Sequence, residues 1–157
     1  MSEKSELGET AAAASIPRMS ILQDMGRLVE EFQELPDWES RYKRIIALAK
    51  ELTPLPEEQK TDDNKVRGCS SSVWLHAEQR DGKIIFLADS DAVLVRGLVA
   101  LLVKVYSGHT ANEILAAPPD FIEELGLNVN LSPNRANGLT AMVKQIMIYA
   151  AAFTAKN

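Results

Sequence analysis

Apolar residues recur at three- and four-residue steps early in the chain. Ile21, Leu22, Met25, Leu28, Val29, Phe32 and Leu35 line one face, and the spacing predicts an amphipathic helix over residues 20–34. Pro36-Asp37 interrupts it, and Asp37 can cap a second helix with Trp38, Tyr42, Ile45, Ile46, Ala49 and Leu52 facing inward. Together they predict a helical hairpin. The aromatic and methionine positions have the spacing that packing requires, so they belong to a core rather than to a binding site.

From residue 53 to 65 the composition turns to Pro, Glu, Asp, Lys and Asn, the mark of a surface connection. The period then changes. Val73, Leu75 and Ala77 alternate with Trp74, His76 and Glu78, predicting a strand over residues 73–79; Asp81-Gly82 supplies a tight turn, and residues 83–88 form the returning strand. A third strand near residues 65–67 stays open. Either Ser90 or Asp91 can cap a helix over residues 92–106, which is apolar nearly all round, so buried on most sides, and Gly108 can stop it. Thr110 and Glu113 have the spacing of a capping box for a short helix ending before Pro118-Pro119, and Asp120 can cap another that closes at Gly126. Ser132 caps and Pro133 opens a last long helix to about residue 152, with Leu139, Met142, Val143, Ile146, Met147, Ala150 and Phe153 as its buried stripe. The expected fold is α+β: a small antiparallel β-sheet packed against several α-helices, as one domain over residues 18–157. Residues 1–17 are polar and acidic without apolar periodicity and read as a disordered tail.

A chain of 157 residues suits a single core, and 46% hydrophobic with 25% charged residues is ordinary for a soluble globular protein. A formal net charge of -5 argues against a dedicated nucleic-acid binder. Glu3, Glu6 and Glu9 oppose both a secretory signal and a mitochondrial transit peptide, and no stretch of membrane-spanning length is free of charge. The expectation is a cytoplasmic protein with neither membrane nor nucleic acid among its partners. One cysteine can make neither an internal disulfide nor a Cys-x-x-Cys site, which points to a reducing compartment.

That cysteine, Cys69, lies where a polar loop runs into the first strand, after Gly68 and before three serines. Gly68 permits a positive φ, so the thiol can sit at the tip of a tight bend. Lys65 and Arg67 would favour the reactive thiolate if either lies near the sulfur. Against this stands the habit of free cysteine to behave as a small buried hydrophobe. His76 and His109 show no metal-ligand spacing with Cys69, so no metal site is expected, and a Cys69/His76 pair as in a thiol hydrolase is a minor alternative. No glycine-rich phosphate loop is present, and the Glu30-Glu31 and Glu57-Glu58 pairs read as solvated faces.

Val66-Arg67-Gly68-Cys69-Ser70-Ser71-Ser72-Val73-Trp74-Leu75 resembles the signature of the SufE family of sulfur-acceptor proteins, a Val-x-Gly-Cys-x-Ser-x-Val-Trp run. Asp89-Ser90-Asp91-Ala92 with Val95-Arg96-Gly97-Leu98 is similar to the family's approach to its central helix. Leu131-Ser132-Pro133-Asn134-Arg135 with Gly138-Leu139 and Met142 is similar to the start of its last helix, Asn134 standing where Ser is usual. The resemblance covers about residues 21–153 and implies a SufE/NifU-like fold. It implies that Cys69 receives persulfide sulfur from a pyridoxal-phosphate-dependent (SufS-like) cysteine desulfurase, stimulates that enzyme, and passes the sulfur to a (SufB-like) iron–sulfur scaffold. The protein would then be a carrier rather than a stand-alone enzyme, with no cofactor of its own. The resemblance also gives partner-binding roles to Arg67, Gly68, Ser70 and Arg135; by position alone Arg135 is an exposed arginine on a helix shoulder. The alternatives are a small Cys/His hydrolase or peroxidase, an acceptor for a different sulfur-transfer pathway, or a partner-binding module with an incidental cysteine. Small residues around Cys69, bracketed by Val66 and by Val73-Trp74-Leu75, predict a loop with a sheltered and an extended position.

Overall fold

The computed structural model describes residues 20–156, so the tail expected over residues 1–17 lies outside the described residues. Ser20 opens α1 (Ile21–Glu34) with a capping box: its hydroxyl accepts from the Gln23 amide at 3.2 Å and the Gln23 side chain accepts from the Ser20 amide at 3.1 Å. Asp37 opens α2 (Trp38–Leu48), its carboxylate accepting from the Ser40 amide at 2.8 Å. Both starts fall where the sequence places them.

The inward faces need correction. Leu22 is 63% exposed and Ile46 is 37% exposed, whereas Leu48, absent from the predicted stripe, is buried with Ile45. The cause is a close crossing of α2 over α3 (Val93–Tyr106): a Cβ at Gly97 would lie 2.3 Å from the Ile45 carbonyl oxygen. With the backbones this near, the face toward α3 is set by Ile45 and Leu48, and Ile46 turns outward. The two helices are joined by Arg44 to Glu31, but α2 packs mainly on α3 and α1 on α3 and the later segment Phe121–Glu124, rather than on each other.

Strands β1 (Val73–Arg80) and β2 (Lys83–Ser90) pair antiparallel from Val73↔Ser90 to Arg80↔Lys83. Asp81 (φ 53°) and Gly82 (φ 79°) are both left-handed, as the two-residue hairpin turn requires. The open third strand resolves into a single bridge, Lys65↔Trp74, where the Val66 amide donates to the Val73 carbonyl at 2.8 Å. On the other edge, Ile84 exchanges backbone bonds with Gly108 and His109 at 2.7 and 2.8 Å.

α3 is the centre of the molecule, packed by α1, α2, α7 and β2, with Leu98, Val99, Leu101, Leu102 and Tyr106 fully buried. Each such side chain contributes on the order of 1.5–3 kcal/mol from burial. Its N-cap is Ala92, without a side-chain bond, so neither Ser90 nor Asp91 fills the expected role; both are engaged elsewhere. The Thr110–Glu113 capping box opens α4 (Ala111–Leu115) as expected. α5 (Phe121–Glu124) follows Asp120, which makes no side-chain cap. α6 (Leu127–Asn130) is an element the sequence pattern did not separate, and Tyr42 donates to the carbonyl of its last residue.

α7 (Pro133–Lys156) begins at Pro133, with the Ser132 hydroxyl accepting from the Arg135 amide at 3.3 Å, and runs past the expected end. Leu139, Met142, Val143, Ile146 and Ala150 are buried, while Met147 and Phe153 pack at the margin. By length and composition alone α7 could cross a membrane, although it carries exposed Arg135 and Lys144; here its stripe is committed to the core. Tyr149 ties it to the sheet by donating to the Leu75 carbonyl at 2.9 Å. The described residues thus form an α+β fold, one two-stranded antiparallel sheet with seven α-helices.

Candidate functional site

Between the Lys65↔Trp74 bridge and β1 the chain makes a short loop that carries Cys69. Its first end is held by the bond from Val66 to Val73 and by burial of the Val66 side chain. Its second end is Ser72, held three ways. The Ser72 amide donates to the Asp91 carboxylate at 3.2 Å, and its carbonyl accepts from the Asp91 amide at 3.3 Å and from the Ser90 hydroxyl at 2.7 Å. Here lies the reason Ser90 and Asp91 do not cap α3: their polar groups fasten the loop. Asp89 completes the anchor, accepting from Arg96 at 2.8 Å and paired with Lys60 at 3.1 Å. Burial opposes the Asp89 charge, but the Ser90 amide and the two cations outweigh it and hold the carboxyl below its ordinary value.

Between these anchors Gly68 takes φ +93°, a conformation L side chains rarely adopt, and a Cβ there would lie 3.3 Å from the Ala141 Cβ. The bend seats the loop on small residues of α7. Cys69, half-buried, points its sulfur at the same helix, and the thiol donates to the Gly138 carbonyl at 3.6 Å. Beside it lies a cavity of about 270 Å³. Val95, Leu98 and Met142 give it an apolar lining; Ser70, Ser71, Ser132 and Arg135 line it with polar groups. On the other side of the loop Arg67 and Gly68 line a separate hollow, with Asp62, Lys65 and Val66, that also reaches Cys69.

Of the residues singled out from sequence, Cys69, Ser70 and Arg135 therefore share one cavity, and Arg67 and Gly68 face the neighbouring hollow. Arg135 is exposed on the first turn of α7. The expected electrostatic help for the thiolate is absent: burial pushes the Cys69 thiol up, and neither Lys65 nor Arg67 offsets it. In this position the thiol is a sheltered, weakly acidic group. His76 stands against Glu78, with 3.7 Å between Nε2 and the carboxylate, and His109 is buried within 3.8 Å of Asp24 and Glu113. Among the described residues no three His, Cys, Asp or Glu side chains are grouped to hold a metal.

Sequence reasoning missed the wall of the cavity. Val95, Leu98 and Met142 look like ordinary helix core in a linear pattern. Gly138 did leave a signal, because a glycine inside a long helix gives up helix stability and often marks a close approach.

Residues 26–150 match the family described as "SufE: Fe-S metabolism associated domain". An uncharacterized SufE-like protein of Synechocystis is 45% identical over 130 residues, 83% of this chain and 82% of that protein. A SufE-like protein of Rhizobium meliloti is 41% identical over 78% of this chain and 91% of its own length. "SufE-like protein 1, chloroplastic/mitochondrial" of Arabidopsis thaliana is 46% identical over 74% of this chain, which spans 32% of that longer protein. The solution structure of a hypothetical protein from Thermus thermophilus shares the fold, with a TM-score of 0.70 at 24% identity over 82% of this chain and 93% of that one. With the family match spanning most of the described fold and the Synechocystis and Rhizobium meliloti relatives aligned over most of their own length, the chain belongs to the SufE family, which is involved in Fe-S metabolism.

Proposed function

We propose that this protein accepts sulfane sulfur at Cys69 from the cysteine persulfide of a pyridoxal-phosphate-dependent desulfurase and passes it on for iron–sulfur cluster assembly. The observation that carries this reading is the setting of the chain's one thiol: on the bend of a loop pinned at both ends, turned into a cavity, with Arg135 lining the same cavity. The transfer is thiol–persulfide exchange. The Cys69 thiolate attacks the terminal sulfur of the donor persulfide, a new S–S bond forms on Cys69, the donor's S–S bond breaks, and its cysteine leaves as thiolate. One zero-valent sulfur moves, and no oxidant or reductant is consumed. Having no second thiol, the chain offers no internal group to displace the sulfur as a disulfide. A reducing compartment such as the cytoplasm suits it.

The sheltered thiol is a poor nucleophile because burial keeps it protonated. Reaction therefore requires the loop to present Cys69 to the donor. A Cys/His hydrolase is disfavoured, since the thiol bonds to Gly138 and the His76 Nε2 faces Glu78. The deciding variant is Cys69→Ser, whose hydroxyl is close to the thiol in size but cannot carry sulfane sulfur. It should unfold at the same temperature as the parent and give no stimulation of a cognate desulfurase. Normal stimulation by the folded variant excludes the carrier reading.

A further inference from the structure

Gly138 lies within α7, where alanine would be the better helix former, and among the described residues it is the glycine whose missing side chain faces the cysteine sulfur. A Cβ built there would lie 3.4 Å from Cys69 Sγ and 3.9 Å from its Cα and Cβ, with nothing else so near. That is ordinary contact distance, so a methyl group is compatible with the bare thiol. It is not compatible with a larger group on the same side, because the second sulfur of a persulfide sits about 2 Å beyond the first. A methyl group already touching Sγ removes room that the added atom needs.

We infer that Gly138 is the residue that lets the resting site hold Cys69 as a persulfide as well as a thiol: its bare Cα leaves the space beside Sγ that the added sulfur occupies. The inference rests on the carrier reading and adds to it a positioning residue outside the loop. The cavity on that side continues between Val95 and Leu98 of α3 and Met142 of α7, so the added sulfur is taken up by an apolar wall and kept from solvent thiols. A carrier whose site fitted only the thiol would expel its cargo to the surface on loading.

The test separates the two states of one cysteine in Gly138→Ala. Cys69 is loaded without any desulfurase, using sodium disulfide: the thiolate takes one sulfur from HS–S⁻ to give Cys69–S–S⁻, and HS⁻ leaves. Cyanide then removes that sulfur as thiocyanate, returning the thiolate, and the rate of thiocyanate release reports how exposed the loaded group is. The expected result is that Gly138→Ala melts no lower than the parent, and somewhat higher through the better helix propensity of alanine, and keeps the parent's rate of thiol alkylation by iodoacetamide, while its persulfide is lost to cyanide about tenfold faster, the order expected from overpacking by one methyl group. Val95→Ala added to Gly138→Ala reopens the opposite wall and should slow the loss again. Equal cyanolysis in parent and Gly138→Ala overturns the inference. So does a lower melting temperature or an altered alkylation rate in the thiol form, since the methyl would then disturb the site whether or not sulfur is present. Failure of the parent itself to take sulfur on Cys69 tells against the carrier reading and removes the basis of this one with it.

Discussion

Arg135 shows how position and chemistry differ at the scale of one residue. At the first turn of α7 the helix dipole gives a cation no benefit, and the side chain is exposed, so stability does not explain an arginine there. It lines the cavity that holds the Cys69 sulfur, which places a fixed positive charge where an incoming persulfide anion would arrive. Arg135→Ala should therefore change thermal stability by no more than about 0.5 kcal/mol, the usual range for exposed substitutions. In a titration of desulfurase activity it should shift half-stimulation to higher concentration of this protein. An unchanged titration curve would return Arg135 to the role of a solvated helix-shoulder residue. The sequence made Arg135 legible through its place in a motif. Gly138, three residues on, was equally present in that motif, yet its part depends on a distance of 3.4 Å to a sulfur 69 positions away, which no local pattern encodes.

Among the elements, what could be read in advance was whatever the chain settles locally. The caps at Asp37 and Thr110 and the Asp81-Gly82 turn are interactions within four residues, and each stands where its residues predict. The start of α3 was misread because its polar residues serve a segment distant in sequence. Ser90 looks like a cap, but its hydroxyl reaches back to Ser72, whose carbonyl it holds at 2.7 Å, and accepts weakly from the Ala92 amide at 3.3 Å. The roll of α2 was lost in the same way, to a contact with Gly97 that belongs to another helix. The Ser90 arrangement leads to a test. Ser90 is 1% exposed, so Ser90→Ala leaves the Ala92 amide without its partner and Ser72 with only the Asp91 contacts; the cost should be about 1–2 kcal/mol. Denaturant melts would measure this loss, and iodoacetamide should label Cys69 faster than in the parent even in dilute denaturant-free buffer. A destabilised protein with unaltered labelling would show that Ser90 supports the start of α3 without restraining the loop.

For the molecule as a whole, the body and the loop differ in how firmly they are held. α3 is covered on most sides, α7 lies along it, and Tyr149 fastens α7 to β1. The cysteine loop, by contrast, is fixed at Val66 and Ser72, and between them the thiol makes only a long bond to Gly138. Seven residues with both ends anchored can carry their tip outward by about 10 Å at most, given about 3.5 Å per residue along each limb. That reach is enough to move Cys69 from its cavity into a cleft of a docked protein while the body stays unchanged. The same burial that raises the thiol's pKa favours the sheltered position, so a desulfurase gains the extended one only by binding it more tightly. Presented to a basic or polar site, the thiol would also ionise more readily, which joins exposure to activation in one movement. The measurement is the alkylation rate of Cys69 by a bulky maleimide, with and without a desulfurase whose own nucleophilic cysteine has been replaced. At partial occupancy the partner should accelerate labelling, because the bound fraction holds the loop extended and presents the thiol at the open mouth of the partner's cleft. Protection that grows in proportion to occupancy, with no acceleration at any concentration, would mean that the loop docks as it stands and that the donor persulfide must enter the cavity instead.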